Sequence, residues 1–324
     1  MRRDKRTSHR SRGRIKKNMK ALYDTTRLLA GKKHNPTRPV KNINGEALNT
    51  KEEQLKRWAE HFNNLLNQPP PAIRAQITPA AEPLPINCSR PSKAEIAKAI
   101  KSPKNNKAPG PDNVPAEALK ADILTSTDMM YDLIGKIWEK EEVPTEWRDG
   151  HIIKLPKKGD LSNCDNYRGI MLLSTPGKVL NRLILDRLKA AVDSTLRDQQ
   201  AGFRAKRSCT DQIATLRIII EQSLEYRSPL HITFVDYAKA FDSLDREVLW
   251  QLTRHYGFPE KIINIMKNTY SGMQCRVVHE GHLSESFPTT TGVRQGCLLS
   301  PLLFLLAVDW IMKETTERKQ NGIQ

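Results

Sequence analysis

The sequence predicts an α+β fold for this chain of 324 residues. Its central and C-terminal parts alternate between amphipathic helical patterns, with apolar residues three and four positions apart, and short apolar runs typical of strands. Hydrophobic residues make up 38% and charged residues 27% of the chain, which is the composition of a globular protein with a buried core. No stretch reaches the roughly 18 uncharged apolar residues of a membrane-spanning helix, so we expect no membrane partner.

The positive charge of the chain is concentrated near its N-terminus. Of the formal net charge of +17, residues 1–41 supply +13, with 15 Lys and Arg against two Asp and Glu. We therefore expect residues 1–50 to form a basic, disordered leader. Such an arm suits a polyanionic partner, because each phosphate that it neutralises releases counterions. A solvated segment or a nuclear import signal explains the same composition.

The cysteine pattern bears on the cellular compartment. The chain has five cysteines and no C-x-x-C pair: Cys88, Cys164, Cys209, Cys275 and Cys297. An odd number without paired spacing favours reduced thiols over a disulfide framework or a zinc site. The basic residues after Met1 lead into no apolar core of a signal peptide. The sequence therefore predicts an intracellular protein, in the nucleus or the cytoplasm.

A helix and a Pro-rich linker are predicted over residues 51–91. Apolar residues recur there at helical intervals after Thr50, which forms with Glu53 a capping box, in which the side chain of each residue bonds the backbone N–H of the other. Three prolines at 69–71 end the helix. The Pro- and Ala-rich stretch that follows is typical of a linker.

The predicted domain over residues 92–324 mixes helices and strands, and it opens on a capping box of Ser92 with Glu95. Apolar periodicity predicts helices at 128–139, 177–191, 211–226, 246–255, 260–270 and 301–312. Short apolar runs predict strands at 151–155, 170–173 and 232–235, and hairpin arms at 275–279 and 283–287.

Asp236 directly follows the apolar run at 232–235. A carboxylate at the end of a buried strand offers hard oxygen ligands on a rigid element, which suits a magnesium ion. An aspartate that caps the following turn explains the same position. Taken alone, the pattern favours the capping aspartate.

Two segments place cations beside short strands, L-P-K-K-G at 155–159 and N-Y-R-G-I at 166–170. Lysine as a point charge and arginine as a fork both suit a triphosphate. Three further segments follow in order: Q-Q-A-G-F-R at 199–204, D-Y-A-K-A-F-D-S at 236–243 and G-V-R-Q-G-C-L-L-S-P at 292–301.

This series resembles the reverse transcriptase domain of non-LTR (LINE-like) retrotransposons, and the K-A-P-G-P-D turn at 107–112 is similar to one that commonly precedes that domain. The resemblance covers roughly residues 92–324 and implies the fingers and part of the palm of a right-hand polymerase. It also implies an RNA-directed DNA polymerase, a nucleotidyltransferase whose partners are an RNA template, a DNA primer and dNTPs. In that reaction the primer 3′-hydroxyl attacks the α-phosphate, with two Mg²⁺ ions as cofactors.

The resemblance implies a metal site at Asp236. Its carboxylate corresponds to the first metal-binding and catalytic group, and the backbone carbonyl of Tyr237 helps to hold the second ion.

The same resemblance implies six nucleotide-binding residues, of which Tyr237 is one. Lys157 and Arg168 correspond to cations that bind the triphosphate, and Phe241 to the steric gate against a ribose 2′-hydroxyl. Gln295 and Gly296 correspond to the turn that contacts nucleotide and template. Each position also has an ordinary structural explanation: an exposed hairpin tip, a core aromatic and a plain turn.

Three departures from the family pattern stand out. Gly169 replaces the proline usual in Y-R-P-I, and Leu298 replaces the proline usual after Gln-Gly-Cys. The second carboxylate motif, Tyr/Phe-x-Asp-Asp, is expected shortly after residue 324, and the sequence contains no Asp-Asp pair. We therefore expect a fragment, a truncated copy or a partial gene model that is inactive alone. The alternative is a noncatalytic RNA-binding remnant of such an element.

Overall fold

The computed structural model describes residues 39–316. Most of the predicted basic leader, and the last eight residues, lie outside this part of the chain. Within it, helices and strands alternate as the sequence predicts, which confirms the α+β class. A search of the same residues finds no helix with the length and apolarity to span a membrane.

The described residues form ten α-helices and five strands. The helices are α1 (Lys51–Leu66), α2 (Lys93–Lys101), α3 (Ala116–Ala121), α4 (Ile123–Lys140), α5 (Thr145–Arg148), α6 (Thr175–Asp193), α7 (Cys209–Glu225), α8 (Arg246–His255), α9 (Glu260–Tyr270) and α10 (Ser300–Thr316). The strands are β1 (Gly150–Pro156), β2 (Tyr167–Leu173), β3 (Gln274–His279), β4 (His282–Leu283) and β5 (Phe287–Pro288).

Strand β1 lies at the centre of the sheet, antiparallel to β2 and parallel to β3. The register places Ile152 opposite both Met171 and Val277. All three side chains are buried, so this face of the sheet packs on the core. The outer edge of β3 pairs with β4 and β5. The first arm of the predicted hairpin is therefore confirmed, whereas the second is divided into two short strands.

Helix α1 begins with the predicted capping box: the Thr50 hydroxyl accepts from Glu53 N at 3.3 Å, and the Glu53 carboxylate accepts from Thr50 N at 3.2 Å. Trp58 and Phe62 bury the apolar face of the helix. A Cβ atom on Gly169 would lie 2.6 Å from the Phe62 ring. The helix thus explains why β2 carries glycine where the family pattern has proline.

The predicted linker contains no helix or strand between α1 and α2, yet it packs closely on the domain. Ala80 N donates to the Arg254 carbonyl at 3.1 Å and Leu84 N to the Gly257 carbonyl at 2.7 Å. Ile77 and Ile86 are buried. The segment therefore runs as a fixed strap along the end of α8.

The predicted strand at 232–235 is wrong. All of residues 231–239 are exposed and without regular structure, and Phe234 is 82% exposed. A strand requires a neighbour for its backbone groups, and β1 and β3 already pair on both edges. Asp236 consequently follows an exposed segment without regular structure instead of ending a buried strand.

Candidate functional site

A single cleft of about 560 Å³ gathers six of the seven predicted site residues. They come from three distant parts of the chain and are Lys157, Arg168, Tyr237, Phe241, Gln295 and Gly296. Asp236 is not among the lining residues.

The cationic side of the cleft is the hairpin of β1 and β2. Their register places Leu155 opposite Arg168, and Lys157 follows just beyond the paired residues. Lys157 N donates to the Asn166 carbonyl at 2.7 Å, and its Nζ donates to the Asp165 carbonyl at 3.1 Å. Both cationic side chains are exposed, so they are available to an anion in the cleft.

The turn at Gln295 and Gly296 lies directly against β2. Met171 N donates to the Gln295 carbonyl at 2.6 Å. Gly296 has a φ of +119°, and a Cβ atom there would lie 2.5 Å from the Met171 carbonyl oxygen. Only glycine fits this approach. The glycine therefore joins the turn to the strand that carries Arg168.

Asp242 lies at the base of the cleft, and sequence reasoning assigned it no role. Gln295 Nε2 donates to both of its carboxylate oxygens at 2.9 Å. Burial raises the pKa of Asp242, opposed by the Gln295 hydrogen bond and by nearby cations. The pair fixes the Gln295 amide with its NH₂ group on the carboxylate. Its position directly after Phe241 in the quoted motif was the available signal.

Phe241 contributes to both the core and the cleft. Its ring stacks on Phe304 with centroids 4.7 Å apart and meets the edge of Phe203 at 6.2 Å. Its carbonyl accepts from Val293 N at 2.7 Å. The ring therefore packs against the hydrophobic core and also lines the cleft.

Arg246 holds the loop that precedes Gln295, and the sequence analysis did not identify it. Its guanidinium donates to the carbonyls of Thr289 at 2.6 Å, Gly292 at 3.1 Å and Thr291 at 3.1 Å. Burial lowers the pKa of Arg246 to about 10, which leaves it charged at neutral pH. One side chain of α8 thus fixes three carbonyls of the loop.

His61 brings α1 to the cleft and was also missed, since no histidine pattern indicated it. The side chain is 9% exposed, and burial lowers its pKa to about 4. Its Nδ1 lies 3.9 Å from Asp165 Oδ1. The imidazole is therefore neutral at pH 7 and adds no charge to the cleft.

The arrangement around Asp236 does not fit a two-ion centre. Within residues 39–316, no group of three or more His, Cys, Asp or Glu side chains is placed to hold a metal ion. Asp236 is exposed, while the Asp242 carboxylate is engaged by Gln295. The magnesium site stays a prediction.

Comparison with known proteins identifies the family. Residues 155–324 match the reverse transcriptase (RNA-dependent DNA polymerase) family. The chain is 28% identical over 215 residues to the transposon TX1 uncharacterized 149 kDa protein of Xenopus laevis, which covers 66% of this chain and 16% of that protein. It is 28% identical over 275 residues to the probable RNA-directed DNA polymerase from transposon BS of Drosophila melanogaster, covering 82% of this chain and 30% of that protein.

A chain in the solved partial Cas6-RT-Cas1--Cas2 complex is 16% identical, with a TM-score of 0.40, over 70% of this chain and 34% of that one. The present chain spans less than a third of the length of either transposon protein. Its relatives also include the RNA-directed DNA polymerase from the mobile element jockey of Drosophila melanogaster. The family match covers more than half of the sequence, and the chain therefore belongs to the reverse transcriptase family, as a domain homologous to the RNA-directed DNA polymerases of non-LTR retrotransposons.

Proposed function

We propose that the cleft binds the incoming dNTP beside an RNA template and a DNA primer during RNA-directed DNA synthesis. The observation that carries this proposal is the convergence of six separated residues, from Lys157 to Gly296, on one cleft. A dNTP carries a triphosphate and a deoxyribose. The cleft offers exposed cations to the triphosphate and an aromatic wall to the sugar.

The β1–β2 hairpin would hold the triphosphate. Lys157 supplies a compact charge at the tip, and Arg168 supplies a fork of donors that matches phosphate oxygens. Arg168 lies on a paired strand, and the Lys157 backbone is held by its hydrogen bond to the Asn166 carbonyl, so little backbone ordering is required on binding. Phe241 would lie against the sugar, where its ring opposes a 2′-hydroxyl by steric exclusion.

The reaction itself would be a phosphoryl transfer. The primer 3′-oxygen forms a bond to the α-phosphorus and loses its proton to solvent, while the α-phosphorus bond to the bridging oxygen breaks and pyrophosphate leaves. Reverse transcriptases use divalent metal ions for this chemistry. Asp236 and the Tyr237 carbonyl would hold such ions only together with a further carboxylate, which residues 39–316 do not place beside them. Lys157, Arg168 and Gln295 orient the triphosphate and nucleotide without contributing a proton.

Nucleotide binding tests the proposal. Lys157→Gln should weaken the binding of fluorescent dATP by roughly tenfold, since a charge-assisted hydrogen bond is lost. Lys158→Gln is the matched control, because Lys158 is exposed and adjacent but does not line the cleft. Equal effects of the two substitutions would refute the assignment.

Competition separates this proposal from a noncatalytic RNA-binding remnant. In a polymerase cleft, the next template base selects the dNTP. Labelled dATP should therefore be released when a template–primer duplex that pairs with dATP is replaced by one that pairs with a different dNTP. A remnant that binds RNA alone should bind single-stranded RNA and show no dATP binding in the same titration.

A further inference from the structure

Phe203 is an exposed aromatic side chain in the same cleft. It lines the cleft and is 65% exposed. It belongs to the Q-Q-A-G-F-R segment at 199–204, for which the nucleotide-binding assignments provide no role. An exposed aromatic face beside a polar cleft offers a surface on which a flat ligand can stack.

The backbone at Phe203 is held in an unfavourable conformation. Its φ is +58°, in the left-handed region that bulky side chains rarely adopt. This conformation persists because the surrounding structure imposes it. The ring lines the cleft and meets the Phe241 ring edge-on, with centroids 6.2 Å apart.

Arg204 is the anchor of this turn. Its guanidinium donates to the Asp193 carboxylate at 2.7 Å, and to the carbonyls of Asp193 at 2.9 Å, Arg197 at 2.6 Å and Gln200 at 3.2 Å. The side chain is only 3% exposed. The residue that follows Phe203 thus fixes the turn to the end of α6, and the ring stands on a rigid support.

We propose that Phe203 is a stacking platform for a nucleobase bound in the cleft. Three cations line the cleft, Lys157, Arg168 and Lys239, against the carboxylates of Asp165 and Asp242. A ligand that matches both the cations and an exposed ring carries phosphate and a flat aromatic base. The inference rests on the proposed function and specifies a contact to the base, which can come from a free dNTP or from a single-stranded nucleic acid.

The test compares ligands with and without bases. Anisotropy would measure the affinity of the full chain for a fluorescent 12-nucleotide oligo(dA) and for an abasic deoxyribose-phosphate oligomer of equal length. Displacement by dATP and by tripolyphosphate would form the free-nucleotide arm. We expect Phe203→Leu to weaken oligo(dA) or dATP binding at least roughly fivefold while leaving the base-free ligands unchanged. The arm that responds identifies the source of the base.

Two variants control the experiment. Phe203→Trp keeps an aromatic face and should retain the base-dependent affinity. Phe234→Leu removes an aromatic ring that is 82% exposed and does not line the cleft, so it should change neither ligand. Thermal unfolding should be unaltered in Phe203→Leu, because the side chain is exposed.

The outcomes separate this inference from the proposed function. If Lys157→Gln weakens all phosphate ligands and Phe203→Leu changes none, the stacking role is refuted and the proposed function stands. Equal loss on base-containing and base-free ligands in Phe203→Leu also refutes stacking. If Lys157→Gln has no effect while Phe203→Leu removes base-dependent binding, the stacking role stands and the proposed triphosphate site fails.

Discussion

Helices α9 and α7 are both amphipathic in sequence, but they meet opposite surroundings. Six of the eleven residues of α9 are buried, whereas none of the seventeen residues of α7 is buried. Both form regular helices, so the local pattern is sufficient for the helix itself. Burial requires a second layer, and α9 packs in the main core beside α8 while α7 leads into the uncovered segment that ends at Tyr237.

The residues around the cleft also differ in how far the rest of the fold covers them. We call Lys157, Arg168, Gln295 and Gly296 the supported wall, and residues 209–237 the exposed arm. The supported wall is fixed by strand pairing and by the Met171–Gln295 hydrogen bond. The exposed arm carries Asp236 on an uncovered backbone. The side of the cleft that we propose to bind phosphate is therefore held by regular structure, whereas the segment that carries Asp236 is not.

The largest expected difference concerns stability. Ile263→Ala removes a fully buried side chain of α9 and should lower the free energy of unfolding by about 2–5 kcal/mol, through lost burial and a residual cavity. Ile213→Ala, at a side chain of α7 that is 67% exposed, should change it by about 0.5 kcal/mol or less. Urea denaturation of both variants measures this. Similar losses would show that α7 is covered in solution.

A second difference is expected in the pH dependence of stability. Because the pKa of His61 falls from 6.5 to about 4 on folding, the unfolded chain binds more protons between these values. Stability should fall as the pH drops from 6.5 to about 4, by up to about 3 kcal/mol.

His61→Gln isolates this pH effect, because glutamine does not titrate. The difference in unfolding free energy between wild type and His61→Gln should depend on pH across this window. A His61→Gln profile parallel to wild type would contradict the burial of the imidazole.

A smaller effect is expected at Arg246. Arg246→Met leaves the carbonyls of Thr289 and Gly292 without their donor, which should cost about 1–3 kcal/mol of unfolding free energy. Arg217→Met is the control, because Arg217 pairs only with Glu221 on the surface of α7, and such pairs contribute about 0–1 kcal/mol. Thermal unfolding would compare them, and an equal shift would show that the loop needs no clamp.

The sequence was most informative where structure is local. Helices α8 and α9 have the predicted bounds, since Asp245 caps the first by accepting from Val248 N, and Pro259 precedes the second. The capping boxes at Thr50 and Ser92 formed as predicted. These features depend on residues within one turn of each other.

The errors lie where structure depends on distant partners. Residues 232–235 have a strand's composition, but pairing is decided by which edges of the sheet are available. Short helices α3 and α5 were not predicted, because four to six residues carry little periodicity. The hydrogen bond of Asp242 with Gln295 joins residues more than fifty positions apart, so the sequence pattern did not predict it.

Binding of dATP in the presence of EDTA tests the central claim most directly, namely that the supported wall holds the triphosphate while Asp236 lies outside it. Arg168→Gln should weaken binding by roughly tenfold or more, because a fork of charge-assisted donors is lost. Asp236→Asn should leave the affinity unchanged or slightly higher, since it removes a negative charge from an exposed position. A loss in Asp236→Asn that equals the loss in Arg168→Gln would contradict the account.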